Sequence, residues 1–300
     1  MMPSYLVFDV GGSAIKYGLL DQNGTILCKD STPTPTANAD AFFATIRQIY
    51  EAHQRDIVAV AFSLPGVINS DRGYTVTGGY LRFNENRHFI QDIQAFCSHP
   101  VTIENDGKCA ALAEHWQGSL QDCCNSAVMV LGSGVGGGLI LNHQLYKGSH
   151  FSAGEFSFVL TNSKICKDDP VHYFGKDGSA LNLPRELERH SHAPDHSLTG
   201  LDFFAAVEAQ DSDACDILDA YTYHLAIQIF NIQAMFDLER IAIGGGISAQ
   251  PALLAALGEN IAYLKEHLPF YISEPHLVAC RFRNDANLIG ALKAHLNQNA

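Results

Sequence analysis

The chain has 300 residues, 47% of them hydrophobic and 17% charged, enough for one large domain or two small ones with cores of their own. Its formal net charge of −13 argues against a surface built to neutralise nucleic-acid phosphates, although a few backbone N–H groups, a lysine and a metal ion can still hold a single nucleotide. No apolar run approaches the roughly eighteen residues of a membrane span, and the opening residues lack the basic start and cleavage site of a signal peptide, so a cytoplasmic protein is expected.

Taken in chain order, the first third alternates short apolar runs with turn signals. Tyr5–Val10 reads as a strand, Gly11-Gly12 as a tight turn and Ile15–Leu20 as a second strand. Asp21-Gln22-Asn23-Gly24 carries an Asn-Gly hairpin signal ahead of a third strand, Thr25–Lys29. Thr32–Asn38, with two prolines, reads as a loop, and Ala41–His53 has the apolar spacing of a helix. A strand at Ile57–Ser63, a helix at Ile90–Cys97, a strand at Val101–Glu104 and a helix at Asp106–Gln117 follow. Three strands in a meander and then alternating helices and strands predict a mixed sheet flanked by helices.

The opening pattern then recurs. Ala127–Leu131 is an apolar strand, Gly132–Gly136 a glycine-rich turn and Gly137–Leu141 a further strand, so DVGGSAIKYGLL and LGSGVGGGLIL suggest a duplicated strand–turn–strand unit. Thr161–Thr199 is the least regular stretch and is expected to form loops and short helices. Asp213–Asp237 is the strongest helix signal, with apolar residues every three or four positions. It leads into a strand at Arg240–Ile243, the turn Gly244-Gly245-Gly246, a helix at Pro251–His267 with proline in its first turn, a strand at His276–Arg283 and a terminal helix from about Asp285.

Phosphoryl transfer needs backbone amides and cations around phosphates, and a group that accepts the proton of the attacking hydroxyl. Three glycine-rich turns, each at the end of an apolar strand, can supply the amides: Gly11-Gly12-Ser13, Gly132-Ser133-Gly134 and Gly244-Gly245-Gly246. Asp9 is placed to meet a nucleotide-bound Mg²⁺ through water, and Lys16 to pair with a phosphate. Neither a Walker A sequence nor a G-x-G-x-x-G that opens a helix is present. The proton acceptor is sought in Glu104-Asn105-Asp106, where a strand ends and open α/β sheets place their ligands. Asp106 also suits the N-cap of the next helix, a role compatible with a place in the site. Glu155, after Gly154, is a second candidate carboxylate.

Together these segments resemble the ROK family of bacterial sugar kinases and sugar-responsive repressors. The resemblance runs from DVGGSAIKYGLL through SLPGVI, ENDGKCAALAE, LGSGVGGGL, KGSHFSAGEFSF and IAIGGGIS to NLIGAL, nearly the whole chain. It implies an α/β, actin-like ATPase (ribonuclease H-like) fold of two lobes with a duplicated core and a cleft between them. The small lobe would hold residues 1–117 with about 285–300, its last helix folded back, and the large lobe residues 118–284. By resemblance Asp9, Gly11, Gly12, Ser13 and Lys16 form the first phosphate motif, Gly132, Ser133 and Gly134 the second, and Gly245 and Gly246 lie near the adenosine. Asn105 and Glu155 would bond sugar hydroxyls, and Asp106 would take the proton of the attacking one, by family habit O6. ATP and Mg²⁺ are the implied cofactors; a sugar is the implied small-molecule partner, with a homodimer allowed and neither nucleic acid nor membrane expected.

Two departures from the family pattern bear on this. Many members hold a structural zinc through a histidine after the Gly-Glu pair and a cysteine cluster. Here Phe158 stands at the histidine position and only Cys166 remains of the cluster, so no structural zinc is expected, and His172, His190, His192 and His196 read as solvated loop residues. The family's Asn-Leu sugar segment appears as Thr77-Gly78-Gly79-Tyr80-Leu81, which puts Gly79 at the sugar and leaves the choice among glucose, N-acetylmannosamine and β-glucosides open. The rival reading from another class is a catalytically inactive sugar-sensing regulator, against which stand Asp106, the three glycine turns and a first strand that begins near residue 5, ahead of which a winged helix has no room. A third, an actin-like ATPase acting on a protein partner, leaves Asn105, Asp106 and Glu155 without a purpose.

Overall fold

In the computed structural model, which describes residues 3–161, 171–192 and 194–299, turn chemistry shapes the N-terminal meander. Strand β1 (Ser4–Val10) pairs antiparallel with β2 (Ala14–Asp21), and β2 with β3 (Ile26–Pro33). Asp21 closes the second turn by accepting hydrogen bonds from the N–H groups of Asn23 and Thr25. Strand β3 runs further than the sequence suggests, with Thr32 opposite Ile15 and Pro33 opposite Ala14. It is an edge strand, where proline's missing N–H costs no ladder bond.

Helix α1 (Ala39–His53) starts where the Asn38 side chain accepts from the Ala41 N–H, and it buries Phe42, Ile46, Ile49 and Tyr50. Strand β4 (Ala59–Leu64) is buried at all six positions, as expected of a parallel strand covered on both faces. A short hairpin of the two-residue strands β5 (Ile68–Asn69) and β6 (Tyr74–Thr75) and the short helix α2 (Phe89–Gln94) lead to β7 (Val101–Asn105), parallel to β4, and on to α3 (Asp106–Gln117). The sheet order is β3-β2-β1-β4-β7. Phe8 stacks on Phe62 with centroids 4.7 Å apart, at the middle of a core shared by β1, β4, α1 and α2.

The strand order is then repeated. Strands β8 (Ser126–Leu131), β9 (Val135–Leu141) and β10 (Gln144–Tyr146) precede α4 (Phe174–Asp177), α5 (Asn182–Ser191), α6 (Gly200–Glu208) and α7 (Ser212–Phe236). Strand β11 (Arg240–Gly244), helix α8 (Pro251–His267), strand β12 (Leu277–Ala279) and helix α9 (Ala286–Gln298) complete the chain. The second sheet has the order β10-β9-β8-β11-β12, with β11 parallel to both β8 and β12. Its core is separate and is built from β8, β9, β11 and helices α5 to α8.

Three differences from the sequence reading have local causes. Strand β9 begins at Val135, so Gly136 is a strand residue opposite Val130, and the glycine turn shrinks to residues 132–134. Strand β12 keeps only three residues of the expected His276–Arg283. Helix α6 was not anticipated, although Thr199 and Asp202 form a full capping box at its start.

Two compact units result. One holds the chain up to Gly118, Leu145–Gly154 and the chain from Asn284 on; the other holds Ser119–Gln144 and Glu155–Arg283. Within the first, α9 packs on α3 and on β1, β4 and β7. Gly290 explains how closely: a Cβ there would lie 1.8 Å from the carbonyl oxygen of Cys109. No helix among the described residues is long and apolar enough to cross a membrane.

Candidate active site

In the first unit the polar residues gather where β1, β4 and β7 end. Asp9 is buried, and its Oδ1 accepts from Asn287 Nδ2 at 2.9 Å and from Ser63 Oγ at 3.2 Å. Its Oδ2 lies 3.5 Å from Lys16 Nζ, whose residue is its register partner across β1 and β2. Asn287, on α9, and Ser63, on β4, were not picked out from the sequence. Only the closing NLIGAL resemblance pointed to that part of α9.

The turn after Asp9 is closed by the Gly11 N–H donating to the Ala14 carbonyl at 3.0 Å, and the Gly11 carbonyl accepts from Thr34 Oγ1 at 2.7 Å. Gly12 and Ser13 are exposed beyond it. The ring of Tyr80, itself 74% exposed, lies 3.6 Å from where a Cβ on Gly12 would be. The segment that replaces the family's Asn-Leu pair therefore sits against the first glycine turn. Gly79 adopts φ +56° and packs on Pro65 and Gly66.

Asn105, and not Asp106, caps α3: its Oδ1 accepts from the Lys108 N–H at 3.0 Å. The N-cap reading of Asp106 is thus corrected, because the helix begins at Asp106 and the residue before it takes the extended cap conformation. The Asn105 amide nitrogen donates to the Gly66 carbonyl at 2.9 Å and to Asp106 Oδ1 at 3.0 Å, and the same Oδ1 accepts from the Gly107 N–H at 2.8 Å. Two donors on one oxygen set the plane of the Asp106 carboxylate.

Just before this pair, Glu104 is only 1% exposed; its Oε1 accepts from the Asn105 N–H at 2.9 Å. Lys147 Nζ, from the segment Leu145–Gly154, lies 3.3 Å from its Oε2. Burial, with the carboxylates of Glu104, Asp106 and Asp9 around it, pushes the Cys109 thiol well above its ordinary value, so this cysteine is inert as a nucleophile.

The second unit carries the other sequence candidates. The Gly132 N–H donates to the Gly134 carbonyl at 2.9 Å, and the Gly132 carbonyl accepts from the Ala180 N–H at 2.9 Å, so the turn is tight and tied to the start of α5. Ser133 is exposed at its tip, and Gly134 is backed by Ser157, whose hydroxyl bridges the N–H and carbonyl of Val135. Gly245 brings the third turn alongside: at φ +93° a Cβ would lie 2.0 Å from the Leu131 carbonyl oxygen. Gly246 faces open space, with no atom within 4 Å of a Cβ placed there. Glu155 is half-buried at the head of a short 3-10 turn, its carbonyl accepting from the Phe158 N–H at 3.0 Å. Site residues of the two units are thus grouped within each: Asp9, Gly11, Gly12, Ser13, Lys16, Gly79, Asn105 and Asp106 in one, Gly132, Ser133, Gly134, Glu155, Gly245 and Gly246 in the other.

Phe158, at the family's histidine position, is exposed, and Cys166 lies outside the described residues. His172 lies 3.5 Å from Asp177, and His190, His192 and His196 are exposed. Among the described residues no group of three or more His, Cys, Asp or Glu side chains is placed to hold a metal ion.

A model described as ROK family matches residues 5–297. The chain is 31% identical to a beta-glucoside kinase of Klebsiella pneumoniae over 97% of its own length and 95% of that protein's. It is 29% identical to a beta-glucoside kinase of Listeria monocytogenes, over 97% of both chains. Among solved structures it is similar to a ROK family protein from Streptococcus pneumoniae in complex with sucrose, with TM-score 0.88 and 26% identity over 99% of both chains. The Lmo2764 protein from Listeria monocytogenes gives TM-score 0.89 and 27% identity over 99% of this chain and 100% of that one.

Proposed function

The chain belongs to the ROK family and is an ATP-dependent sugar kinase, and on that premise we propose that it transfers the γ-phosphoryl group of ATP to O6 of a hexose unit, with a β-glucoside as the acceptor and Asp106 as the base. The observation that carries the reading is the Asp106 carboxylate at the start of α3, oriented by two donors on Oδ1 beside a buried asparagine. A carboxylate held in this way accepts the proton of the attacking hydroxyl as the new O–P bond forms and the bond to the leaving ADP breaks. Asn105 and Glu155 are assigned to sugar hydroxyls, and Gly79 to the backbone wall of the sugar segment. The beta-glucoside kinases among the relatives, at 29% and 31% identity over nearly full length, support that choice of acceptor.

The glycine turns at 11–13, 132–134 and 245–246 are assigned to the nucleotide, since exposed backbone N–H groups at strand ends are anion donors. Asp9 fits an Mg²⁺ held through water: it is a single buried hard-oxygen ligand, steadied on one oxygen by Asn287 and Ser63. Bound there, the ion supplies neutralisation of the charge that builds on the phosphates. Lys16, 3.5 Å from Asp9 and 42% exposed, adds a positive charge beside the first turn. A structural zinc has no place in this reading, and metal analysis of the purified protein is expected to find zinc well below one per chain.

A coupled ADP-release assay tests the function. The acceptors are cellobiose, an aryl β-glucoside, glucose, N-acetylglucosamine and N-acetylmannosamine, with Mg-ATP present. The β-glucosides should give the highest kcat/KM. A preference for a free monosaccharide would overturn the acceptor assignment. ATP binding without sugar-dependent ADP release from any of them would overturn the kinase and favour a sugar-sensing regulator.

A further inference from the structure

We propose that Lys147 is a positioning residue for the phosphoryl transfer, acting through Glu104 on the strand end that carries Asn105 and Asp106; this rests on the kinase reading above. Glu104 is 1% exposed, and an ionised carboxylate withdrawn from water needs a countercharge. Its two oxygens face different groups. Oε1 accepts from the Asn105 N–H, whereas Oε2 accepts no hydrogen bond and faces the Lys147 ammonium at 3.3 Å.

Lys147 is itself held from several sides. Its Nζ donates to Ser70 Oγ at 2.7 Å and to Asp71 Oδ1 at 3.3 Å, both on the loop of the β5–β6 hairpin. Its carbonyl accepts from the Ala153 N–H at 3.1 Å, which closes the loop that presents it, and Gly148 at φ +71° lets the chain turn directly after it. The lysine side chain is 24% exposed, so its charge is only partly screened by water.

One cation therefore joins three segments at the end of β7. The consequence runs along the chain. A shift of the Glu104 carboxylate moves the Asn105 N–H that it holds, and Asn105 in turn caps α3 and grips Asp106 Oδ1. Removal of the Lys147 charge leaves a buried anion next to the base, and the base loses its set position. Mispositioning by a fraction of an ångström lowers kcat more than it raises sugar KM.

The test is a double-mutant cycle of K147M and E104Q, with K147R alongside, in the ADP-release assay and by thermal unfolding. K147M should lower kcat by about tenfold or more with sugar KM within about threefold. K147R should retain most of kcat. E104Q should cost less than K147M, and the double variant should recover to the level of E104Q alone, because neutral glutamine leaves no buried charge to compensate. Equal kcat in K147M and wild type, with or without a lower Tm, would overturn the proposal, and so would a double variant no better than K147M. If K147M is recovered only as aggregate, a folded, active double variant supports the pairing and an aggregated one overturns it. The wild type separates the two readings: no sugar-dependent turnover in the wild type sinks the kinase, whereas an active wild type with an indifferent K147M sinks only the positioning role.

Discussion

The two units share a strand order but differ in what their strand ends carry. In the first, the ends of β1, β4 and β7 carry Asp9, Ser63 and Glu104-Asn105, so the edge of the sheet presents carboxylates, a hydroxyl and an amide beside the glycine turn that follows β1. In the second, β8 and β11 end in glycine turns, so the corresponding edge presents bare backbone. The helix that follows the last parallel strand also differs. In the first unit it is α3, which starts at the candidate base; in the second it is α9, which the chain delivers to the first unit to pack on α3. Duplication thus supplies the frame and a glycine turn twice, whereas proton chemistry is built on the first copy alone. In the proposed reading both copies offer glycine turns to the nucleotide, and only the first offers a base to the hydroxyl.

That division is most open to attack at Asp106. Asp106→Asn keeps the acceptor oxygen for the Gly107 N–H but removes the basic carboxylate. Turnover should fall by about 10³-fold, in the range of a lost general base, while calorimetric binding of ATP and of sugar stays within about threefold. Loss of ATP binding in this variant would show that Asp106 serves the nucleotide as well as the hydroxyl.

The seating of α9 on α3 comes next. Gly290→Ala places a Cβ 1.8 Å from the Cys109 carbonyl oxygen, which belongs to the backbone of a packed helix and cannot swing aside. Such overpacking is expected to cost about 3 kcal/mol, seen as a Tm lower by roughly 6–12 °C. An unchanged Tm would mean that α9 can slide on α3.

Adjacent glycines in the second unit separate fold from function more finely. Gly245→Ala combines a positive φ with a Cβ 2.0 Å from the Leu131 carbonyl, so about 2 kcal/mol of stability should go, together with ATP affinity. Gly246→Ala meets no atom within 4 Å, so stability should stay within about 0.5 kcal/mol while the KM for ATP rises. A Gly246→Ala variant with unchanged ATP kinetics would remove this turn from the nucleotide assignment.

Much of this frame was legible because it is local. The Asp-Gly-Gly turn, the apolar run of β4 and the strand-to-helix change at Asn105-Asp106 each show in a window of a few residues. The residues that hold the site together were not legible in that way. Asn287 reaches Asp9 across 278 positions and Lys147 reaches Glu104 across 43, and no periodicity in either segment announces the partner. The N-cap assignment failed for a finer reason. Asn and Asp are nearly equivalent caps by propensity, so the choice between neighbours was made by the Gly66 carbonyl, which accepts from an amide nitrogen and would repel a carboxylate. Helix α6 was overlooked despite its Thr199 and Asp202, because its apolar residues form too short a run to show a helical period.

The smallest expected effect concerns the same α9 interface. His295 on that helix is buried beside Tyr5, with Nδ1 3.2 Å from Thr102 Oγ1, and burial holds its pKa below the ordinary 6.5. The folded protein therefore binds this proton less readily than the unfolded chain does. The contribution of the neutral ring is fully present above pH 6.5 and declines as the pH falls through that value towards the lowered folded one. Replacement by glutamine, which cannot titrate, should flatten the part of the Tm–pH curve that lies in this acidic window and leave the curve above neutrality parallel to that of the wild type. Parallel curves throughout would show that water reaches the ring, and that α9 is more loosely seated on its own unit than the contact at Gly290 implies.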